Sequence, residues 1–287
     1  MRIPPYWTWQ DYAVLDRKGK EKKYSALGWS FETLEGARQD AVARAKRIVE
    51  ARAAGRELDT YEYLERPLRE EIVESIQQDG QEVGAITRNR YGSLVLNTTS
   101  VCFVDVDFPV LETQGVLDSL SLMFSPAKKR RRLETLRQGT LDWLKGWFAK
   151  NLQRSFRLYE TAAGARLLFT DRLYNPASDD VAALFAELGS DMLYRKLTLK
   201  QECFRARLTP KPWRCGWRRP PNQYPWETQE AQERYRTWQR DYESHCEGYG
   251  ICRLVEVLGE ECGEAAINGI VGLHDEYTCL DGQAELA

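Results

Sequence analysis

The hydrophobic period changes several times along this chain, and each change marks an element. WTWQDYAVL and KKYSALGWS alternate every second residue and predict two strands joined by the turn DRKGK at 16–20. Over 33–55 the period lengthens. Leu34, Ala37, Ala41, Ala45, Ile48 and Val49 recur at helical spacing, and Gly55 follows as a C-terminal stop. PLREEIVESIQ, opened by Pro67, predicts a second, shorter helix. From Gly84 the period returns to two, giving short strands with a turn at Asn89–Gly92 and a last strand over 101–107. Leu133, Leu136, Leu141, Leu144, Trp147 and Phe148 predict a helix over 132–149, preceded by the basic run KKRRR. FRLYETAAGARLLFT reads as a hairpin, and SDDVAALFAEL as a helix with Ser178 as its N-cap. A long irregular stretch, 189–248, contains one predicted helix, WETQEAQERYRTWQRDYE. GYGICRLVEVLG returns to strand, and the last forty or so residues read as a short helix and a tail.

From residue 101 the order is βαββαβ. The fold class expected is α+β, with the second half a ferredoxin-like split βαβ unit carrying both helices on one face of its sheet. In that topology the strand 101–107 lies at the sheet's centre, beside the last strand, 251–257. The expected division is an N-terminal α/β unit at 1–83, the palm-like unit at 84–258 with the 189–248 insertion, and a C-terminal helix and tail at 259–287.

Composition adds few constraints. The chain has 287 residues, 43% hydrophobic and 29% charged, with a net charge of −2, so it is not a generally basic nucleic-acid binder. No run approaches the roughly 20 apolar residues of a membrane span, and no signal segment is apparent. A cytoplasmic protein with no membrane partner is expected. The seven cysteines form no CxxC pair and read as reduced thiols. Cys203, Cys215, Cys246 and Cys252 could be combined into a zinc site, but their spacings fit no zinc pattern.

The sharpest chemical signal is VCFVDVDFP. Asp105 and Asp107 stand two apart in an apolar strand, so both carboxylates share one face. Two like charges this close raise one another's pKa unless a cation sits between them. Mg²⁺ or Mn²⁺ would answer that need and could serve a phosphoryl displacement; a solvated polar edge is the plainer alternative. Glu256, alone in Leu254–Leu258, is a candidate third ligand, or else faces solvent or pairs with an arginine. The small-residue turn Ala162–Gly164, with Arg166 and Arg157 nearby, could grip a phosphate, or could be an ordinary hairpin.

The segment Arg195–Arg219 is the clearest charge anomaly, with nine cations against the single acid Glu202. Arg205, Arg207 and Lys211 are candidate phosphate contacts. Trp213 and Trp217, interleaved with cations, are candidates for base stacking.

With these parts in place, the chain resembles the archaeo-eukaryotic primase superfamily over roughly residues 84–258. FVDVDFP is similar to that family's hhhDhD motif, TAAGARLLF to its small-residue turn with a following basic residue, and LVEV to its later hydrophobic–acid pair. The resemblance implies an RRM-like palm and metal-binding carboxylates at Asp105, Asp107 and Glu256. It also implies a nucleotide-phosphate contact near Arg166 and nucleic acid or a nucleoside triphosphate as partner. Leu167 stands where the family motif has a histidine. The chain also resembles a set of bacterial proteins sharing its PKPWRCG and TAAG-R-LL segments, a likeness that implies no activity.

Three readings follow. The first is metal-dependent nucleotidyl or phosphoryl transfer by Asp105, Asp107 and Glu256, with Arg166 and Arg205 or Arg207 holding the triphosphate or template. The second is non-catalytic binding of nucleic acid or nucleotide through the basic–aromatic segment. The third is a protein-interaction module built on the tryptophans and arginines.

Overall fold

A computed structural model describes residues 1–15, 19–55, 67–113, 115–190, 192–279 and 284–287. The protein is α+β and divides into two compact units. The first comprises Met1–Ile76, Ala85–Val95 and Lys211–Glu247; the second comprises Gln77–Gly84, Leu96–Pro210 and Gly248–Ala287. The chain therefore does not divide at residues 83 and 258. The stretch 189–248 is not a single insertion: its second part joins the N-terminal residues, and the C-terminal helix belongs to the second unit.

In the first unit, β1 (Tyr6–Leu15) and β2 (Glu21–Ser30) pair antiparallel, with Trp7 opposite Trp29. Most of the turn expected between them, 16–18, lies outside the described residues. α1 (Leu34–Ala53) starts where the Thr33 hydroxyl accepts the Gly36 N–H. Its alanine row explains its docking. Ala37, Ala41 and Ala45 are wholly buried, and a Cβ on Gly28 of β2 would lie 2.2 Å from the Ala41 nitrogen. Helix and strand thus meet backbone to backbone, and the Arg44 guanidinium caps Trp29 at 3.6 Å.

The expected helix at 67–77 is instead β3 (Glu71–Gln78), followed by β4 (Gln81–Arg88). Asp79 and Gly80, at φ 50° and 77°, form a two-residue turn that requires a hairpin. That Asp-Gly signal outweighs a proline, which opens a helix only when the following residues continue it. β5 (Leu94–Thr98) follows the expected turn at 89–92, where the Asn89 side chain accepts the Tyr91 and Ser93 amides.

The second unit is built on β6 (Phe103–Asp107), β7 (Phe156–Thr161), β8 (Gly164–Phe169) and β11 (Cys252–Leu258). Their order is β11-β7-β8-β6, with every neighbouring pair antiparallel. This differs from the ferredoxin-like order. β6 is at an edge, not the centre, and β11 lies beside β7, not beside β6. The hairpin β7–β8 occupies the middle, and each of its flanks takes one strand. Gly164 lets β6 approach β8 closely, since a Cβ there would be 2.2 Å from the Val106 carbonyl.

Two helices precede β7: α2 (Val116–Phe124) and α3 (Pro126–Phe148). The basic run 128–132 lies inside α3, whose N-terminus is set by Pro126 and the Ser125 side chain, and does not precede it. Trp147 and Phe148 rest on Phe156 and Phe169, so α3 covers one face of the sheet. α4 (Asp179–Glu187) is capped by Ser178 as expected. α6 (Gln229–Cys246) is the one helix expected within 189–248, whereas α5 (Met192–Gln201) and β9 (Phe204–Arg207) form in a part of it expected to be irregular. β9 is the fourth strand of the sheet β3-β4-β5-β9. The short strand β10 (Tyr249–Gly250), just before β11, pairs parallel with β12 (Glu285–Leu286), which follows α7 (Ala265–Thr278). No helix among the described residues is long and apolar enough to cross a membrane.

Replacing Gly28 with alanine is expected to overpack the α1–β2 contact and cost about 1–3 kcal/mol. A lowered urea midpoint would register it; an unchanged midpoint would mean that the close approach is not required.

Candidate functional site

β6 presents Phe103, Asp105 and Asp107 to one face of its sheet and Val104 and Val106 to the other. In register, Asp105 stands opposite Arg166 of β8, which stands opposite Tyr159 of β7. Arg166 grips Asp105 with two parallel hydrogen bonds, Nε to Oδ1 at 2.8 Å and Nη2 to Oδ2 at 3.2 Å. The guanidinium is almost wholly buried, whereas the Asp105 side chain keeps 41% of its exposure.

α7 closes over this face. Arg166 Nη1 donates to the Arg207 carbonyl (3.1 Å) and lies 3.4 Å from His274 Nε2, with the Cys252 thiol at 3.6 Å. Arginine can only donate, so His274 Nε2 is the acceptor and the ring proton resides on Nδ1, 3.0 Å from Asp275 Oδ1. Asp275 also accepts from the Tyr159 hydroxyl (2.7 Å) and from Arg157 (3.0 Å). Burial pushes His274 below the usual imidazole value, and the Arg166 charge adds to that, against the pull of Asp275. The imidazole is therefore neutral. Burial alone would raise Asp275, but its bonds from His274 and Tyr159 and the charge of Arg157 bring it below the usual carboxylate value. Burial would also make Arg166 less basic, but Asp105 more than offsets it.

This arrangement revises several sequence-based expectations. Asp105 and Asp107 do share a face, but the cation beside Asp105 is an arginine, and Asp107 is exposed at the strand's end. Glu256 does not join them. It lies on the opposite edge, three strand spacings or about 14 Å away. A bulge between Leu254 and Glu256 sets it in register with Leu158, on the other face of the sheet, where it pairs with Lys145 at 2.7 Å. Three carboxylates around one Mg²⁺ or Mn²⁺ do not fit this geometry. No group of three or more His, Cys, Asp or Glu among the described residues is placed to hold a metal. Cys203 and Cys252 belong to one unit and Cys215 and Cys246 to the other, all as free thiols.

The arginines expected to hold phosphate are engaged within the fold. Arg166 is used as above. Arg157 donates to the Tyr159 hydroxyl, Glu261 and Asp275. Arg205 and Arg207 are half-buried on β9, and Arg205 reaches Gln201. Tyr194 ties this strand to β6: its hydroxyl donates to the Phe103 carbonyl (3.1 Å) and accepts the Arg205 amide (3.2 Å). His274, Asp275, Tyr159 and Tyr194 escaped sequence reasoning. Only the helical spacing of His274 from Ile267 and Ile270 hinted at an inward face.

The nine-cation run is divided: Arg195 to Arg207 lie in the second unit, Lys211 to Arg219 in the first. There, Pro212 shapes the backbone. It is buried, a single 3₁₀ turn runs over Pro212–Arg214, and the Cys215 thiol donates to the Pro212 carbonyl. This turn holds Trp213 outward, 44% exposed. Arg219 and Lys211 lie 5.1 and 5.7 Å from its ring, and Tyr91 meets it edge-on at 5.2 Å. Arg90 in turn lies over Tyr91 at 4.6 Å. Trp217 plays a different part: half-buried, it stacks on His245 at 4.1 Å with Arg218 beside it.

Comparison with protein-family models, with curated proteins and with solved structures finds no match. The likeness to primases therefore rests on the sequence motifs alone.

Asp105→Ala would leave the buried Arg166 charge without its carboxylate. The expected cost is about 2–3 kcal/mol, below the 3–5 of a fully buried pair because Asp105 is partly solvated. Urea unfolding measures it, and a neutral outcome would remove the pair from the fold's essential contacts. His274 also predicts a pH dependence. The unfolded chain protonates it near 6.5 and the folded protein at lower pH. Between those values the unfolded state binds more protons, so stability is full above about 6.5 and declines as the pH falls below it. His274→Gln should flatten that slope; the Asp275 contribution is lost only at lower pH. An unaltered slope would assign the pH dependence elsewhere.

Proposed function

We propose that this protein binds single-stranded nucleic acid without catalysing its synthesis, through the cation–aromatic surface centred on Trp213. The observation that carries this reading is an exposed indole on the 3₁₀ turn opened by the buried Pro212, with cations on Lys211 and Arg219 close to its ring. Exposed rings flanked by cations suit an unpaired base and its phosphate: the base stacks on the ring, and the cations neutralise the backbone. A paired base offers no free face for such stacking. Arg90 and Tyr91 extend the same surface within the first unit.

Metal-dependent nucleotidyl transfer has less support. It began from two aspartates on a strand with no visible partner, and Arg166 now accounts for the first. A divalent ion at Asp105 would have to share the carboxylate with a guanidinium and bear its repulsion.

Titration of a labelled single-stranded oligonucleotide should give binding that weakens steeply with salt. Trp213→Ala should cost about 1–3 kcal/mol, or about five- to 150-fold in affinity. Equal binding by the variant would reject the platform. A parallel Mn²⁺ titration separates the other reading: tight binding abolished by Asp107→Ala, an exposed position, would restore metal chemistry to the DxD strand.

A further inference from the structure

A second surface, on α2 and the start of α3, plays no part in the nucleic-acid reading. The inward side of α2 is accounted for. Asp118 pairs with Arg132 (2.7 Å) and Lys128 (3.6 Å), Ser121 accepts from Lys128 (2.8 Å), and Leu122 is buried. The opposite side is apolar. Leu120, Met123 and Phe124 stand at i, i+3 and i+4 and so share one stripe. All three are exposed, Met123 at 66% and Phe124 at 76%. Isolated exposed apolar residues are commonplace, but a stripe on one helix face is an interaction surface.

Four residues beyond Phe124 the chain becomes cationic. Lys129, Arg130 and Arg131 are exposed, and their side chains make no hydrogen bond or ion pair among the described residues. They lie in the opening turns of α3, whose first turn has no acidic residue. The helix dipole is positive at that end and favours an anion. Cations there add to the positive field, and an external anionic surface would relieve it.

The occupant must therefore be apolar and anionic at once. We propose that this corner rests on a bilayer surface containing anionic lipid. Met123 and Phe124 enter the interface between headgroups and acyl chains, and Lys129, Arg130 and Arg131 meet lipid phosphates. A nucleic acid offers the phosphates but leaves an aliphatic and thioether stripe exposed. Lying on a bilayer is distinct from crossing one, so the absence of a spanning segment, from which no membrane partner was expected, does not bear on it.

Co-sedimentation of the full chain with phosphatidylcholine vesicles, with and without phosphatidylserine, tests the proposal. Binding is expected only with phosphatidylserine. The variant Lys129→Glu/Arg130→Glu/Arg131→Glu should weaken it by about a hundredfold or more. Met123→Ser/Phe124→Ser should abolish the part of the binding that survives high salt. All five side chains are exposed, so both variants should unfold at the wild-type temperature. Failure of wild type to bind phosphatidylserine vesicles, or wild-type binding by both variants, overturns the proposal. So does a charge variant that loses oligonucleotide binding but keeps its vesicle binding, because the basic run would then belong to a nucleic-acid surface.

Discussion

A buried guanidinium sets the terms for the second unit. Arg166 cannot shed its charge, and a charge out of water is tolerated only when its donors are met. Each requirement recruits a different element. Asp105 must face it from β6, a carbonyl must come from Arg207 at the end of β9, and a neutral imidazole must come from α7. The histidine can serve only as an unprotonated acceptor, which fixes its tautomer and recruits Asp275 to hold the ring. Tyr159 and Arg157 then complete Asp275. One side chain thus connects the sheet edge, the strand after α5 and the C-terminal helix.

The same sheet keeps its two faces chemically distinct. Under α7 the contacts are polar and directional. Under α3 they are mostly aromatic, with Trp147 and Phe148 on Phe156 and Phe169. The acids on that second face are each answered by a cation of α3: Glu160 by Arg137 and Glu256 by Lys145. The partly exposed Lys145–Glu256 pair contributes little stability by itself. It explains instead how an acid is accommodated in an otherwise apolar strand.

The surface around Trp213 in the first unit is built differently, by backbone restriction and aromatic contacts. Pro212 removes freedom from the turn that carries Trp213. Behind it, Tyr235, Trp238 and Tyr242 line α6, with Trp238 and Tyr242 stacked at 5.0 Å. Gly92, at φ 85°, permits this packing: a Cβ there would be 2.2 Å from the Trp238 ring.

The local elements were legible in the sequence wherever period and punctuation agreed. The α1 alanine row, the Ser178 cap, the 89–92 turn and the β7–β8 hairpin all follow from short-range rules. The exception, β3, shows the same physics misweighted: Asp79-Gly80 demanded a hairpin that Pro67 obscured. Alternation also placed Asp105 and Asp107 on one face. What periodicity cannot contain is strand order, because hydrogen-bonded neighbours are chosen by packing between segments far apart in the chain. Sheet order and one bulge separated Glu256 from Asp105. Burial of α7 turned His274 inward, and a cross-strand register placed Arg166 beside Asp105. The sequence by itself determined which residues could carry charge and which faces could be buried. The tertiary structure decided which charges meet, because that depends on distances that no local pattern encodes.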